Sequence, residues 1–521
     1  MTSPFNKRNF FNLQHDRFLT MDMGQLVPVD LMEVLPGDTF KMSNKFFSRL
    51  EAMIAPALVD IDLLVYNFYV PSRILMEDKD WESFITGGFD GNTTVVAPYM
   101  VAPEGGYKAR SLADYLGLPL GVAGFKHSAF PFRAYAKIYN DWFRDENLIS
   151  EVALSTADGL DETTNTTLLN KCWEKDYFTS ALPWAQRGDA AEIPLGDATV
   201  FTDGDRVNMT VNGGVLPLAN LGSGDGNRES NSLSLSSTPG VNSASLGNGF
   251  ATIQSNSNLK ATFNPVTINS LRFAFQVQRF LEKQARGGAR LVETILSHFG
   301  VRVPDARLQR PELIGSSRLK YMISPIEQTS STDTTSPQGN LAGRGTLNAG
   351  ARQFTKSFVE HGYVMTLVSV MPRTIYAQGL ARMWSRDSRW DYYWPVFAHL
   401  GEQEVKNKEI FTQSDSVLAE DGTPVNEGTF GFNDRAAEYR RIPSSTAALF
   451  RPGESLEFWT LVRKFADLPK LSADFVEADP STRIFAVQDD STNRIVMQYR
   501  ADVLAYRPIP KYGNPGFIDH D

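Results

Sequence analysis

The chain has 521 residues, of which 42% are hydrophobic and 21% charged, with a formal net charge of −9. Compact cores usually stop growing near ~250–300 residues, so the chain needs several domains or one core with large insertions. The composition excludes a wholly disordered polymer, and the acidic balance excludes a generic nucleic-acid coat, which carries a strong basic excess.

In chain order, residues 1–130 read as strands and long connections, punctuated by Pro28, Pro36-Gly37 and Pro56. Segment 61–70 is almost entirely apolar, β-branched or aromatic and stops at Pro71, as expected for a strand covered on both faces. The opening MTSPFNKRNFFNLQHDRF has no apolar signal core, so cleavage by a signal peptidase is not expected. A helix is expected over 132–147, capped by Ser128 with Pro131 near its first turn. Phe132, Tyr135, Tyr139, Trp142 and Phe143 recur on one face of it, the pattern of a buried stripe.

Composition changes near residue 196. Of the 31 residues 220–250, 19 are Gly, Ser or Asn, too little apolar surface to offset the entropy of ordering. This predicts an exposed projection or a linker. Helical periodicity returns over 266–300 with Leu271, Phe275 and Leu281, is broken at Gly287-Gly288, and resumes over 289–299. Segment 271–320 holds ten Arg or Lys against four Asp or Glu, a basic island suited to phosphate or to ion pairs with acidic surfaces. A second small-polar stretch covers 329–350. Strands are expected at 363–371, 456–462 and 495–499. Strands at both ends with helices and long loops between them predict one antiparallel sandwich, a jelly roll with large, partly helical insertions.

Catalytic signatures are scarce. The histidines His15, His127, His298, His361, His399 and His520 form no metal-ligand spacing, and neither a phosphate loop nor a nucleophile elbow is present. Gly343-Arg344-Gly345 sits in the second polar stretch without strand-to-helix context. Asp387 and Asp391, in an aromatic run, are the nearest approach to a paired-carboxylate site, but Arg382, Arg386 and Arg389 favour structural ion pairing there. The single cysteine, Cys172, is expected buried, and the lack of disulfides suits a reducing cytoplasm. No cofactor or metal is expected, and no apolar run is long enough to span a bilayer.

An ordered set of segments resembles the major capsid proteins of the gokushoviruses, within the Microviridae. They include Gly24-Gln25-Leu26-Val27-Pro28, Glu33-Val34-Leu35-Pro36-Gly37-Asp38-Thr39-Phe40, Phe68-Tyr69-Val70-Pro71-Ser72-Arg73 and 131–142. Further on come 281–290, Ser297-His298-Phe299-Gly300, 304–311, Glu360-His361-Gly362-Tyr363, Met371-Pro372-Arg373-Thr374 and 391–403. The last are Pro510-Lys511-Tyr512-Gly513 and Pro515-Gly516-Phe517-Ile518-Asp519-His520.

The resemblance implies an eight-stranded viral jelly roll over 1–521. It implies copies joining as pentamers into a T=1 icosahedral virion shell, assembled in the bacterial cytoplasm around circular single-stranded DNA. The insertion 199–262 looks like the family's threefold protrusion, and its residues Asn220, Asp225, Asn227, Arg228, Asn231 and Asn242 are candidates for contact with a host surface receptor. The helical basic segment 266–320 would lie on the subunit framework and 329–350 would be a second polar loop. Terminal arms carrying Phe5, Phe10, Phe11, Tyr512 and Phe517 are candidates for assembly. Lys7, Arg8, Arg272, Arg279, Lys283 and Arg286 are candidates for DNA or interface contact. An acidic subunit cannot balance packaged DNA alone, so a small basic internal DNA-binding protein is expected, with a pilot protein and a scaffolding protein as further partners. The competing readings are a carbohydrate-binding or glycoside-cleaving jelly roll and a trimeric spike.

Overall fold

Two antiparallel sheets collect strand-forming segments from both ends of the chain. The computed structural model describes residues 8–86, 94–188, 309–333, 337–489 and 491–511. Between 189 and 308 it describes the segments 198–202, 208–211, 214–217, 252–253, 259–263, 268–287 and 296–297. The sheet strands are β1 (Asn9–Asn12), β2 (His15–Met21), β3 (Val27–Val34), β4 (Thr39–Leu50), β5 (Ile61–Pro71), β6 (Glu312–Lys320), β7 (Met322–Glu327), β8 (Leu341–Gly350), β9 (Phe354–Ser357), β10 (Gly362–Pro372) and β11 (Ile495–Arg507).

In the larger sheet β1 and β2 both pair with β11, β11 with β4, β4 with β8 and β9, and β8 with β7; the smaller runs β6-β5-β10-β3. Strand β4 shows why the larger sheet has one wet face. Phe40, Met42, Phe46 and Leu50 point inward, while Lys41, Lys45, Phe47 and Arg49 point out. Its inner face packs on Ile61, Leu63 and Val65 of β5 and on Val364, Val368 and Val370 of β10.

The opposite face of the smaller sheet is also covered. Phe68, Val70, Met365 and Leu367 pack on helix α1 (Phe130–Ile138) through Phe132, Tyr135 and Ile138. That double burial explains why β5 and β10 are apolar without alternation. The architecture is a jelly-roll β-sandwich with long insertions; the edge beside β11 is filled by two short strands, β1 and β2, and β4 pairs on its other side with β8 and with the short β9.

Within the sandwich a polar chain crosses from sheet to sheet. Asn44 of β4 donates to Asn67 Oδ1 of β5 at 2.7 Å, and Thr366 of β10 donates to the same oxygen at 2.9 Å. Tyr499 of β11 donates to Asn44 Oδ1 and to Asp30 Oδ2, whose other oxygen lies 3.1 Å from His15 Nε2. Every member except His15 is buried.

By packing the chain divides into two units, Met1–Arg187 with Leu281–Asp521, and Gly188–Phe280. In the second unit 198–202 pairs with 259–263, and 208–211 pairs with 214–217 and with 252–253. Helix α2 spans Ile268–Gly287.

Several expectations are corrected. The helix predicted over 132–147 starts at Phe130, passes into a wider turn over Tyr139–Phe143 and ends there. Arg144 is extended, and Asp145 accepts the Asn147 amide at 3.0 Å to form a turn instead. The basic segment 266–320 is not helical throughout, because its last nine residues are β6 at the sheet edge. The second helix expected over 289–299 lies, apart from 296–297, outside the described residues. The polar loop 329–350 ends before Leu341, where β8 begins. The glycines of that strand fit where side chains would not: a Cβ on Gly343 would fall 2.5 Å from the Ala55 carbonyl oxygen, and one on Gly345 2.5 Å from Leu50 Cδ1. Finally, 456–462 is not a strand but contains a single 3₁₀ turn, Glu457–Trp459. Glu457 folds back to accept the Gly453 amide at 2.7 Å.

Candidate functional site

The paired-carboxylate candidate resolves into a turn. Asp391 Oδ2 accepts the Asp387 amide at 3.1 Å, the Ser388 amide at 2.7 Å and the Ser388 hydroxyl at 2.9 Å. The Ser388 bonds hold this exposed carboxyl below its ordinary pKa. It is therefore an ionised cap with its best acceptor lone pairs in use, not a proton donor for a glycosidic oxygen. The neighbouring arginines pair elsewhere: Arg382 with Glu409 at 3.1 Å and Arg386 with Glu438 at 3.3 Å, while Arg389 stacks on Trp390. Among the described residues no group of three or more His, Cys, Asp or Glu is placed to hold a metal. Cys172 is buried, and burial raises its thiol pKa. No described helix is long and apolar enough to cross a membrane.

The expected arms are partly described. Strand β1 pairs Phe10 with Tyr506 and Phe11 with Ala505 of β11, so this part of the arm extends its own sheet. Phe10 meets the Tyr506 ring edge-on at 5.5 Å and stays half exposed. Phe5, Lys7, Tyr512 and Phe517 lie outside the described residues, as do Asn220, Asp225, Asn227, Arg228, Asn231 and Asn242.

The basic candidates separate. Arg8 is exposed and donates to Thr39 Oγ1 at 3.4 Å. Arg272, Arg279 and Lys283 project from α2 into solvent. Arg286 is turned inward, where its guanidinium grips the Glu402 carboxylate, with Nε to Oε1 at 2.8 Å. It serves the subunit's own packing.

A surface that sequence reading missed is the outer face of the larger sheet. The strand registers set Phe18, Gln498, Phe47 and Asn348 in one row across four strands, and Thr20, Val496, Arg49 and Thr346 in the next. Phe18 is 75% exposed and Phe47 53%. These rings line an open hollow of about 790 Å³ with Arg17, Arg49 and Arg110 at its sides and Glu51 and Asp114 at its margin. Exposed rings beside the exposed Arg49 can stack on bases and neutralise phosphate, whereas Arg17 donates to the Val29 and Asp114 carbonyls and Arg110 to Asn493 Oδ1. The alternation of β2 and β4 carries the signal, but only the register across strands brings the rings together.

Comparison with known proteins places the chain among capsid proteins. The sequence model of the family described as "Capsid protein (F protein)" matches residues 2–517. The chain is 37% identical to capsid protein VP1 of Chlamydia phage 1 across 98% of this chain and 96% of that one. It is 38% identical to capsid protein VP1 of Bdellovibrio phage phiMH2K, with the same coverage. Identity to capsid protein VP1 of Spiroplasma virus 4 is 33%, covering 98% of this chain and 95% of that one.

Proposed function

The chain belongs to the F-protein family of phage capsid proteins, and from that premise we propose that it builds a T=1 icosahedral shell around circular single-stranded DNA and catalyses no reaction. The observation that carries this reading is the match of nearly the whole chain to capsid proteins, on a sandwich whose strands come from both chain ends. A jelly roll closed in this way is a rigid wall element, and its long insertions are free to contact copies of itself.

The remaining roles rest partly on chemistry and partly on what the family resemblance implies. The acidic chain needs a small basic internal partner to balance packaged DNA, and the two adjacent exposed rows that carry Phe18 and Phe47 and, beside them, Arg49 suit contact with unpaired nucleotides. Arg8, Arg272, Arg279 and Lys283 remain candidates for DNA or subunit contact. The insertion 199–262, polar at its middle, is assigned to host attachment. Assembly takes place in the host cytoplasm, aided by a scaffolding protein, and a pilot protein joins the particle.

Sedimentation and electron microscopy of the purified chain test the reading. Pentamers and closed shells are expected. A chain that stays monomeric at high concentration, or stops at isolated trimers, refutes it. Purified particles should also contain a small basic polypeptide, and genome-filled particles without one would reject that partner.

A further inference from the structure

Residues 383–400 form an aromatic ridge that the subunit does not bury. Trp384, Trp390, Tyr392, Tyr393 and Trp394 are each between 47% and 71% exposed. At 150–250 Å² per aromatic side chain, these five leave on the order of 500 Å² of ring surface in water. That is already as large as the largest apolar patch on a typical monomer, a few hundred Å². Met383, Val396 and Leu400, each 63–88% exposed, carry it toward the ~800 Å² that one partner contributes to a standard interface.

The ridge is held in place rather than loose. The Ser388–Asp391 turn fixes its centre. Trp394 Nε1 donates to the Arg389 carbonyl at 2.8 Å, Trp390 meets Phe397 edge-on at 5.8 Å, and Arg386 lies over both Tyr392 and Tyr439. Trp, Tyr and Arg are the residues in which binding energy concentrates, and rings already fixed lose little entropy on docking. Beside the ridge is a hollow of about 410 Å³, walled by Phe178, Met383, Tyr439 and Ile442. Tyr393 of the ridge contacts Tyr439 of the hollow, so projection and recess share one face.

We propose that this face is a principal contact between copies of the chain, the ridge of one seating against the hollow of another. The proposal rests on the self-assembly reading and adds where the contact lies: in a mid-chain segment rather than in the terminal arms.

The test is sedimentation velocity of the full-length chain over a concentration series, with Trp390→Ala and Trp394→Ala singly and together, and Phe10→Ala for comparison. Each Trp variant should need at least about tenfold more protein to associate. Its circular dichroism as dissociated chain should be unchanged and its thermal unfolding lowered only slightly, since the rings stand half in solvent and lose only contacts within the ridge. Hydroxyl-radical footprinting of the unmutated chain should oxidise these Trp rings when dissociated and spare them when associated. If the variants associate at the unmutated concentration and the rings stay oxidisable in the assembly, the proposal is overturned while the shell reading stands. It is equally overturned if association is unchanged but retention on immobilised bacterial lipopolysaccharide is lost, which would assign the ridge to the host surface. If the unmutated chain never associates, the shell reading falls first and this contact with it.

Discussion

Removing the guanidinium of Arg133 should unfold the sandwich more readily than truncating most apolar core residues. Arg133 lies on α1 with only 1% of its side chain exposed, and its partner Asp161 has none exposed. Nε donates to Asp161 Oδ2 at 2.7 Å, Nη1 to the Leu75 carbonyl at 2.9 Å and Nη2 to the Ala157 carbonyl at 2.8 Å. One side chain thus ties α1 to the end of the 3₁₀ turn Ser72–Leu75 and to the loop that carries Ala157 and Asp161. Deleting one member of a buried pair leaves an uncompensated charge and costs ~3–5 kcal/mol. The two carbonyls left without a donor add part of ~1–3 kcal/mol each, less whatever water recovers. We expect Arg133→Met to destabilise the chain by about 4 kcal/mol or more, measured by urea unfolding below the association concentration. Asp161→Asn should cost less, and the double variant should cost at least ~1 kcal/mol less than the sum, because the two groups act as a unit. An Arg133→Met loss under ~1 kcal/mol, or strict additivity, refutes the argument. Acid supplies a second readout. Burial is the largest single influence on Asp161 and opposes its charge, but Thr164 and Arg133 together outweigh it and hold its pKa below 3.8. A depressed native pKa contributes stability above the unfolded value and loses it as pH falls through the native one. The gap between the unmutated chain and Asp161→Asn should therefore narrow below about pH 4.

Three further outcomes are expected. Hydrogen bonding to Asp30, partly opposed by burial, raises His15 to about pKa 9. Its contribution is full below the ordinary value of 6.5 and fades as pH rises through 9. The stability difference between the unmutated chain and His15→Gln should accordingly be largest just below pH 6.5, shrink as pH rises and vanish above pH 9, and a difference independent of pH would contradict the ion pair. Asn67→Ala strips a partner from both Asn44 and Thr366 in the sandwich interior. Chemical denaturation should show a loss of about 2–4 kcal/mol, and a loss under ~1 kcal/mol would mean that the crossing network is not buried as described. Gly345→Ala should be rescued in part by Leu50→Ala, since a movable side chain is what its Cβ would strike, whereas Gly343→Ala meets backbone and should resist rescue; equal rescue of both in thermal unfolding would reject that distinction.

The sandwich was legible from the sequence because its strands carry their own signals. The unbroken apolar run of β5 announces burial on both faces, and the aromatic stripe of α1 announces the helix that covers one of them. Strand β8 was not legible: its glycines and small polar residues read as a loop, and only close approach to Ala55 and Leu50 explains them. The segment 456–462 failed the other way, since its alternation is real but Glu457 binds a nearby amide and curls the chain. Arg133 drew no notice as a polar residue beside an apolar stripe, because its partners lie in loops that no local pattern places near it. The outer row of Phe18 and Phe47 was hidden for a similar reason, as 29 residues separate two rings that β11 brings into line.

These misses have a common physical direction. The subunit buries polar groups that sequence statistics would leave outside, among them Arg133, Asp161, Asn44 and Asn67. It leaves outside aromatic groups that the same statistics would bury. The first arrangement is self-consistent in one copy, because each of these four has its partner. The second is not. At ~25 cal/mol per Å², the ~500 Å² of ring surface on the ridge alone forgoes on the order of 12 kcal/mol of burial free energy, a quantity comparable to the whole stability of an ordinary domain. A chain that specifies its interior so closely and leaves that much unclaimed reaches its lowest free energy only against another surface, and for a capsid protein the most abundant such surface is another copy of itself.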